Sequence, residues 1–379
     1  MILETFYYTP AKGWSIDTLP ALDSEQTLIL LFGASDVDPF IAPIRELEET
    51  YPRSILAGCS TSGEICNTTL RDNSLSVAVI QFEHTTIRLV SAPTVSMEQS
   101  FTTGKTIAGQ LNNPDLKGIL ILSCGLTING SKLVKGISSV LPEQVVVTGG
   151  LAGDGIQFNS TWVLVDGTPQ PAMVTGIGFY GDRVRLGHGS KGGWDIFGIE
   201  RIVTRSRDNI LYELDGKPAL ELYKKYLGDR ADGLPATGLL FPLSLRTGRD
   251  ETESVVRTIL AVDEQEQSIT FAGDIPEGSR AQLMRANFDR LIDGASDAAL
   301  MIDDLSTQCL PLLSIAISCV GRRMVLGERS EEEIEATMDV LPPGSQQIGF
   351  YSYGEISPHT GGHCDLHNQT MTLTTICEK

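Results

Sequence analysis

Three stretches of the chain set a carboxylate behind a cluster of glycines. The first is Gly58-Cys59-Ser60-Thr61-Ser62-Gly63-Glu64-Ile65 and the last is Gly349-Phe350-Tyr351-Ser352-Tyr353-Gly354-Glu355-Ile356. A looser version, Gly149-Gly150-Leu151-Ala152-Gly153-Asp154-Gly155-Ile156, lies between them. Glycine admits positive φ and the close approach of another group, so each acid is predicted on a constrained bend. Bends of this kind wall pockets, and the chemistry they suit is binding. An amino-acid ligand needs a carboxylate for its ammonium, a role for Glu64 or Glu355, with Asp154 in the same pocket. Its own carboxylate needs a guanidinium, a role for Arg322 or Arg323 beyond Cys319. Cys59, Ser60, Cys319 and Tyr353 complete the candidate ligand-binding set. Hydrogen bonds to charged groups contribute about 1.5–3 kcal/mol each, and a few of them approach the roughly 8 kcal/mol of micromolar affinity. The structural alternative is that each Glu bonds the N–H groups of its own turn.

Two further chemistries compete. Haem needs an axial ligand, usually histidine, and an apolar slot. The chain has five histidines, His84, His188, His359, His363 and His367. His367 and His359 are the first axial candidates, and the bland reading of His367 is a buried imidazole held by hydrogen bonds. Gly361 and Gly362 between His359 and His363 argue against a helical metal pair, and no CxxCH motif is present. A cysteine-dependent hydrolase or transferase would use Cys319, where Arg322 nearby could lower the thiol pKa, or Cys59. No histidine adjoins either in sequence to act as base. The 58–63 stretch is not GxSxG, and the 149–155 stretch lacks the Gly-Lys-Ser/Thr ending of a phosphate loop.

The acids are positioned by a repeated unit. Ser318-Cys319 precedes Leu341-Pro342 and Gly349. Ser123-Cys124 precedes Leu141-Pro142 and Gly149. Phe32-Gly33-Ala34-Ser35 precedes Tyr51-Pro52 and Gly58. The unit reads as strand, small-residue turn, helix, proline, strand, glycine turn, acid. Asp38-Pro39 is predicted to cap the first helix, Ser131 the second, and Ser330 with Glu333 a capping box for the third. Residues 161–179 read as strands about an Asp166-Gly167 turn. Residues 187–193 read as a glycine-rich linker or pocket loop. Residues 210–214 read as a strand leading to a helix ended by Gly228, and 259–271 as a hairpin. A helix is predicted over 279–292 and a buried strand over 312–319.

At 379 residues the chain is long for one core. The predicted fold class is α/β, with two domains of related strand–helix units, mixed buried sheets and helices outside. A formal charge of −19 disfavours nucleic acid and anionic lipid. No apolar run reaches membrane-spanning length, and the N-terminal residues lack a signal-peptide pattern. The expected setting is cytoplasmic. Seven cysteines without CxxC spacing are therefore expected to be reduced, with no zinc site.

These phrases together resemble the FIST family. The 58–65 stretch is similar to the phrase of the family's N-terminal domain, and 149–155 to its second glycine phrase. Residues 211–219, Ser318-Cys319-Val320-Gly321-Arg322, the 350–356 stretch and His367-Asn368-Gln369-Thr370-Met371-Thr372-Leu373 are similar to its C-terminal domain. The resemblance covers nearly the whole chain and implies a sensory module spanning residues 1–205 and a C-terminal module spanning 206–379. It implies a small ligand, with amino acids proposed for many members and haem, serving nitric-oxide sensing, for some stand-alone relatives. With no output domain in the chain, it implies signalling in trans to a separate partner such as a histidine kinase or cyclase. The expected pocket lies between the halves, where the three glycine phrases converge.

Overall fold

The protein is described here by a computed structural model covering residues 1–246, 254–302, 309–359 and 362–379. Gly361 lies outside the described residues. Among them, no helix is long and apolar enough to cross a membrane.

The repeated unit forms three times. Thr27–Ala34 pairs in parallel with Ile55–Thr61, Leu116–Ser123 with Val146–Leu151, and Leu313–Cys319 with Gln346–Ser352. Parallel pairing among the described strands is confined to these three. A third strand flanks the first of each pair in antiparallel fashion: Leu75–Gln81, Met173–Tyr180 and Met371–Glu378. Parallel partners need a crossover, and a helix supplies it each time. Ile41–Thr50 serves the first unit and Gly130–Ser138 the second; Val320–Leu326 and Ser330–Val340 serve the third.

The units then exchange strands in a cycle. Glu64–Cys66 leaves the first sheet and pairs with Gln346–Ser352 of the third. Gly354–Pro358 leaves the third and pairs with Val146–Leu151 of the second. Val163 leaves the second and pairs with Cys59 of the first. The inward faces of all three sheets meet in one apolar core that includes Leu30, Phe32, Leu122, Ile177, Ile317 and Phe350. The Phe32 and Phe350 rings lie 4.6 Å apart. The outward faces meet helices: Ile29 and Leu31 pack with Phe40, Ile44 and Leu47. Both faces are covered, which is why these strands read as unbroken apolar runs.

The first glycine of each phrase has one packing task. Gly58, Gly149 and Gly349 sit within their strands opposite Leu31, Ile121 and Ala316. A Cβ at any of them would overlap the carbonyl oxygen of that neighbour. These glycines therefore permit close strand contact and are not the sharp turns expected from sequence.

A smaller antiparallel lobe stands apart from the three-sheet core. It contains Arg201–Arg207, Ile210–Leu214, Leu243–Arg246, Ile259–Asp263, Ser268–Phe271 and Arg280–Arg285, with Ala219–Leu227 packed on it. Leu211, Leu220, Tyr223 and Phe271 fill its core. Arg205 and Ser206, where the two modules were expected to meet, lie within the strand Arg201–Arg207 of this lobe.

Several local expectations are corrected. Residues 280–285 form a strand, since Ala281 and Leu283 alternate inward against Leu243–Arg246; the helix begins at Phe288, capped by Asn287. Residues 184–191 form a strand against Met371–Glu378 instead of a loop, and Gly189 lets the carbonyl of Ala298 approach. Asp38-Pro39 opens a 3-10 turn before the first crossover helix, without a side-chain cap. Asn129, not Ser131, caps the second. Ser330 and Glu333 make no capping box, because Glu333 is drawn inward to Arg322. Cys309 and Cys377 form a disulfide, against the expectation of reduced cysteines. The pair is buried in a small apolar cluster with Leu312 and Leu341.

Strand exchange predicts that residues 1–205 do not fold alone. Val184–Lys191 would lose its partner strand, Glu64–Cys66 would keep only Thr69–Arg71, and Val146–Leu151 would become an edge. The isolated segment should show narrow amide dispersion and no cooperative melt; a dispersed spectrum with a sharp transition would contradict the interlock.

Candidate functional site

The three phrases meet through backbone hydrogen bonds. Ser62 N–H donates to Tyr351 O at 2.8 Å, Tyr353 N–H to Leu151 O at 3.1 Å, and Gly153 N–H to Ser60 O at 3.1 Å. Their acids, however, serve their own turns. Glu64 accepts from Thr61 Oγ1 at 2.5 Å, and from Ser74 N–H and Oγ at 3.1 and 2.8 Å. Glu355 repeats the arrangement with Ser352 Oγ at 2.6 Å, and Thr370 N–H and Oγ1 at 3.3 and 2.9 Å. Both are buried. Burial pushes Glu64 up to about 7 and Glu355 up to about 8, against the lowering pull of these donors.

Asp154 is placed differently. Its carboxylate accepts from the N–H groups of Phe158, Asn159 and Ser160 at 2.7–2.9 Å and from the Tyr353 hydroxyl. Burial pushes its pKa up, but the bonds from Tyr353 and these N–H groups outweigh it and hold the carboxyl low. The loop so tied stacks Phe158 on Tyr353, with ring centroids 4.7 Å apart.

Arg322 sits on the helix Val320–Leu326, not on a strand, and is fully buried. It donates to Glu333 Oε2 at 2.9 and 2.6 Å, and to the carbonyls of Gly192 and Leu291 at 2.5 and 2.8 Å. Tyr351 and Ser318 hydroxyls fill the other Glu333 oxygen at 2.7 and 2.9 Å. Arg323 turns the other way, to Asp72 and the Ser62 carbonyl. Neither guanidinium is open to a ligand carboxylate.

A cavity of about 500 Å³ opens between the core and the smaller lobe. The core side gives it Leu126, Leu151, Cys319, Gly321 and Tyr353, and the lobe gives it Leu239, Thr258, Ile259 and Phe271. Among the described residues its polar lining groups are Asn129, Asn209, Thr258 and Tyr353, and no Asp, Glu, Lys, Arg or His side chain borders it. Of the sequence candidates, Cys319 and Tyr353 line this space, and Asp154 reaches it through Tyr353. Cys59, Ser60, Glu64, Arg322 and Glu355 do not line it. Leu239, Thr258 and Ile259 were not singled out from sequence. The 259–271 hairpin signals Ile259 alone, and it does not reveal what its edge faces; Leu239 and Thr258 carry no signal.

The histidine candidates lie elsewhere. His359 and His367 border a second cavity of about 410 Å³ together with Lys191, Trp194, Arg290 and Asp293. His367 Nε2 is 3.0 Å from Ser357 O, and the two rings are 4.7 Å apart. Burial, then His359, pushes the His367 imidazole down to about 4. Among the described residues, no group of His, Cys, Asp and Glu is placed to hold a metal ion. The Cys59 and Cys319 thiols are pushed up by burial, and Cys319 also by Glu355. Both thiols are protonated at neutral pH, the weak form of a nucleophile.

This is a two-lobed α/β protein with an apolar cavity between the lobes. The chain belongs to the FIST family: the FIST N domain matches residues 27–217 and the FIST C domain residues 219–358. FIST domains are sensory domains of signal-transduction proteins. A comparison with curated proteins gives no match.

Two outcomes are expected. Glu355 ordinarily titrates at 4.5 and here near 8. Between those values the native state keeps a proton that the unfolded chain has lost, so stability falls as pH rises. Glu355→Gln should lessen the fall of the urea midpoint across pH 5–8, removing a slope of up to about 1.4 kcal/mol per pH unit and leaving the similar contribution of Glu64 below about pH 7. Arg322→Ala leaves Glu333 buried without its partner and should lower unfolding free energy by about 3–5 kcal/mol. Equilibrium urea titration measures this.

Proposed function

We propose that this FIST protein is a sensor whose inter-lobe cavity takes a small, uncharged, mostly apolar ligand and which signals in trans to a separate partner such as a histidine kinase or cyclase. The observation that carries the reading is the cavity itself, large enough for a small metabolite and walled by both lobes. Pockets of this size and lining, with few polar groups, are the usual form of small-molecule sites. A ligand touching both walls favours the arrangement in which they face each other, and it shifts an equilibrium only by its differential affinity for the two states. The partner would read that shift.

The lining favours a neutral guest over the amino acid considered from sequence. A zwitterion would bring two charges to a wall that carries none among the described residues, and desolvating unpaired charge is costly. Haem fits neither cavity. No histidine among the described residues borders the larger one, and the smaller one sets Lys191, Arg290, Asp293 and Asp297 where haem needs apolar walls.

The test is a melting-temperature screen of neutral aromatic and aliphatic metabolites, with the common amino acids and hemin as separate arms. A ligand at about 100 times its Kd adds about 2.7 kcal/mol, a rise of about 2 °C or more for a chain of this size. Leu239→Trp, which narrows the cavity, should weaken the rise while leaving the ligand-free melt in place. Shifts confined to amino acids, a Soret band with hemin, or a rise undiminished by Leu239→Trp would refute the reading.

A further inference from the structure

The residues preceding the last strand, Asn368 and Gln369, are buried to 0% exposure. Neither side-chain amide has a hydrogen-bond partner in the protein, at its oxygen or its nitrogen. Buried polar groups are nearly always paired, so two adjacent orphan amides call for an explanation. They are also fixed in place. Gln369 has φ 60, a left-handed conformation that is strained for a residue with a long side chain. Its carbonyl is held by the Trp194 indole N–H at 2.8 Å and by Arg322 at 3.4 Å. Thr370, next in sequence, is held by Glu355. A strained residue fixed from several sides, with its polar end unused, is characteristic of binding sites.

The amides lie behind one wall of the inter-lobe cavity. Gly321 borders the cavity, and a Cβ there would overlap the Gln369 amide. A Cβ on Gly354, next to the lining residue Tyr353, would stand 3.5 Å from Asn368 Nδ2. Glycine at 321 lets the Gln369 amide pack directly against a residue that lines the cavity. On the lobe side, Thr258 lines the same cavity, is 5% exposed, and its hydroxyl likewise has no partner.

We propose that Asn368, Gln369 and Thr258 form the polar recognition end of this cavity. They would read a neutral head group that carries a hydrogen-bond donor and acceptor side by side, such as a primary amide, lactam or urea. An amide side chain offers the same two functions and pairs with such a head through two parallel hydrogen bonds. The uncharged lining fits a neutral head on an apolar body. This inference rests on the cavity's being the ligand site, and it names the chemistry the site selects.

The experiment compares benzamide with isopropylbenzene, an apolar probe of similar shape, by calorimetry and saturation-transfer NMR on the full chain. Wild-type protein should bind benzamide at least about tenfold more tightly, equivalent to about 1.4 kcal/mol. Gln369→Met, Asn368→Leu and Thr258→Val should each erase most of that preference while isopropylbenzene binding holds or improves. These variants should melt at or above the wild-type temperature, because they remove unpaired polar atoms; a lowered melt would mark the groups as structural and overturn the proposal. Thr258→Val, at the lining, keeps the test open if either amide variant fails to fold. Equal binding of the two probes, or a preference that survives all three substitutions, would overturn the recognition role alone. Binding of neither probe, with a blank metabolite screen, would overturn the cavity reading and this one with it.

Discussion

The backbone exchange among three sheets is the constraint on which the rest depends. Each repeated unit ends by giving a strand to another unit's sheet, so Glu64–Cys66, Gly354–Pro358 and Val163 close a ring. No sheet is complete without another unit's residues. The ring brings the three phrases together and fixes the strand ends at Cys319, Leu151 and Tyr353 from which the cavity wall is built. It works only because Gly58, Gly149 and Gly349 let paired strands approach their neighbours' carbonyls. Folding one unit thus depends on folding all three, which makes the core a single cooperative body despite its length.

Inside that frame the acidic residues divide by environment. Glu64 and Glu355 have the same donors from equivalent positions, a hydroxyl three residues before and a residue at the start of the flanking strand. They lock the turns after the exchange. Glu333 neutralises Arg322, which in turn reaches three carbonyls and gathers separate segments around one guanidinium. A buried ion pair is an uncertain source of net stability, but losing one member is severe. Its consequence here is geometric, since it helps fix the backbone of Gln369.

How much of this could be read in the sequence follows from the range of each signal. The units were legible because strand, helix and glycine phrase recur in fixed order, and the periodicity of each element is local. Their convergence was legible because the phrases are alike. What each acid faces was not. Glu64 on a bend looks the same whether it meets a ligand or Ser74, and only the fold brings Ser74 to it. The helix expected over 279–292 failed for a related reason: Leu283 and Met284 fit a helical stripe, but pairing with Leu243–Arg246 overrides local preference. The cavity was the least legible part. Its lobe-side wall comes from Leu239, Thr258 and Ile259, which share a cavity with Cys319 and Tyr353 only through the long-range fold. The disulfide joins positions 68 apart in sequence, a span over which spacing alone gives no pairing rule.

The antiparallel lobe enters the chain between Val184–Lys191 and the helix Phe288–Leu300, both of which pack in the third sheet's layer. A ring of three like units has three comparable seams, and this insertion roofs one of them. Breaking the symmetry in that way gives the molecule a front. A repeated scaffold thus acquires, through one asymmetric graft, a chamber walled on one side by the ring and on the other by the inserted lobe.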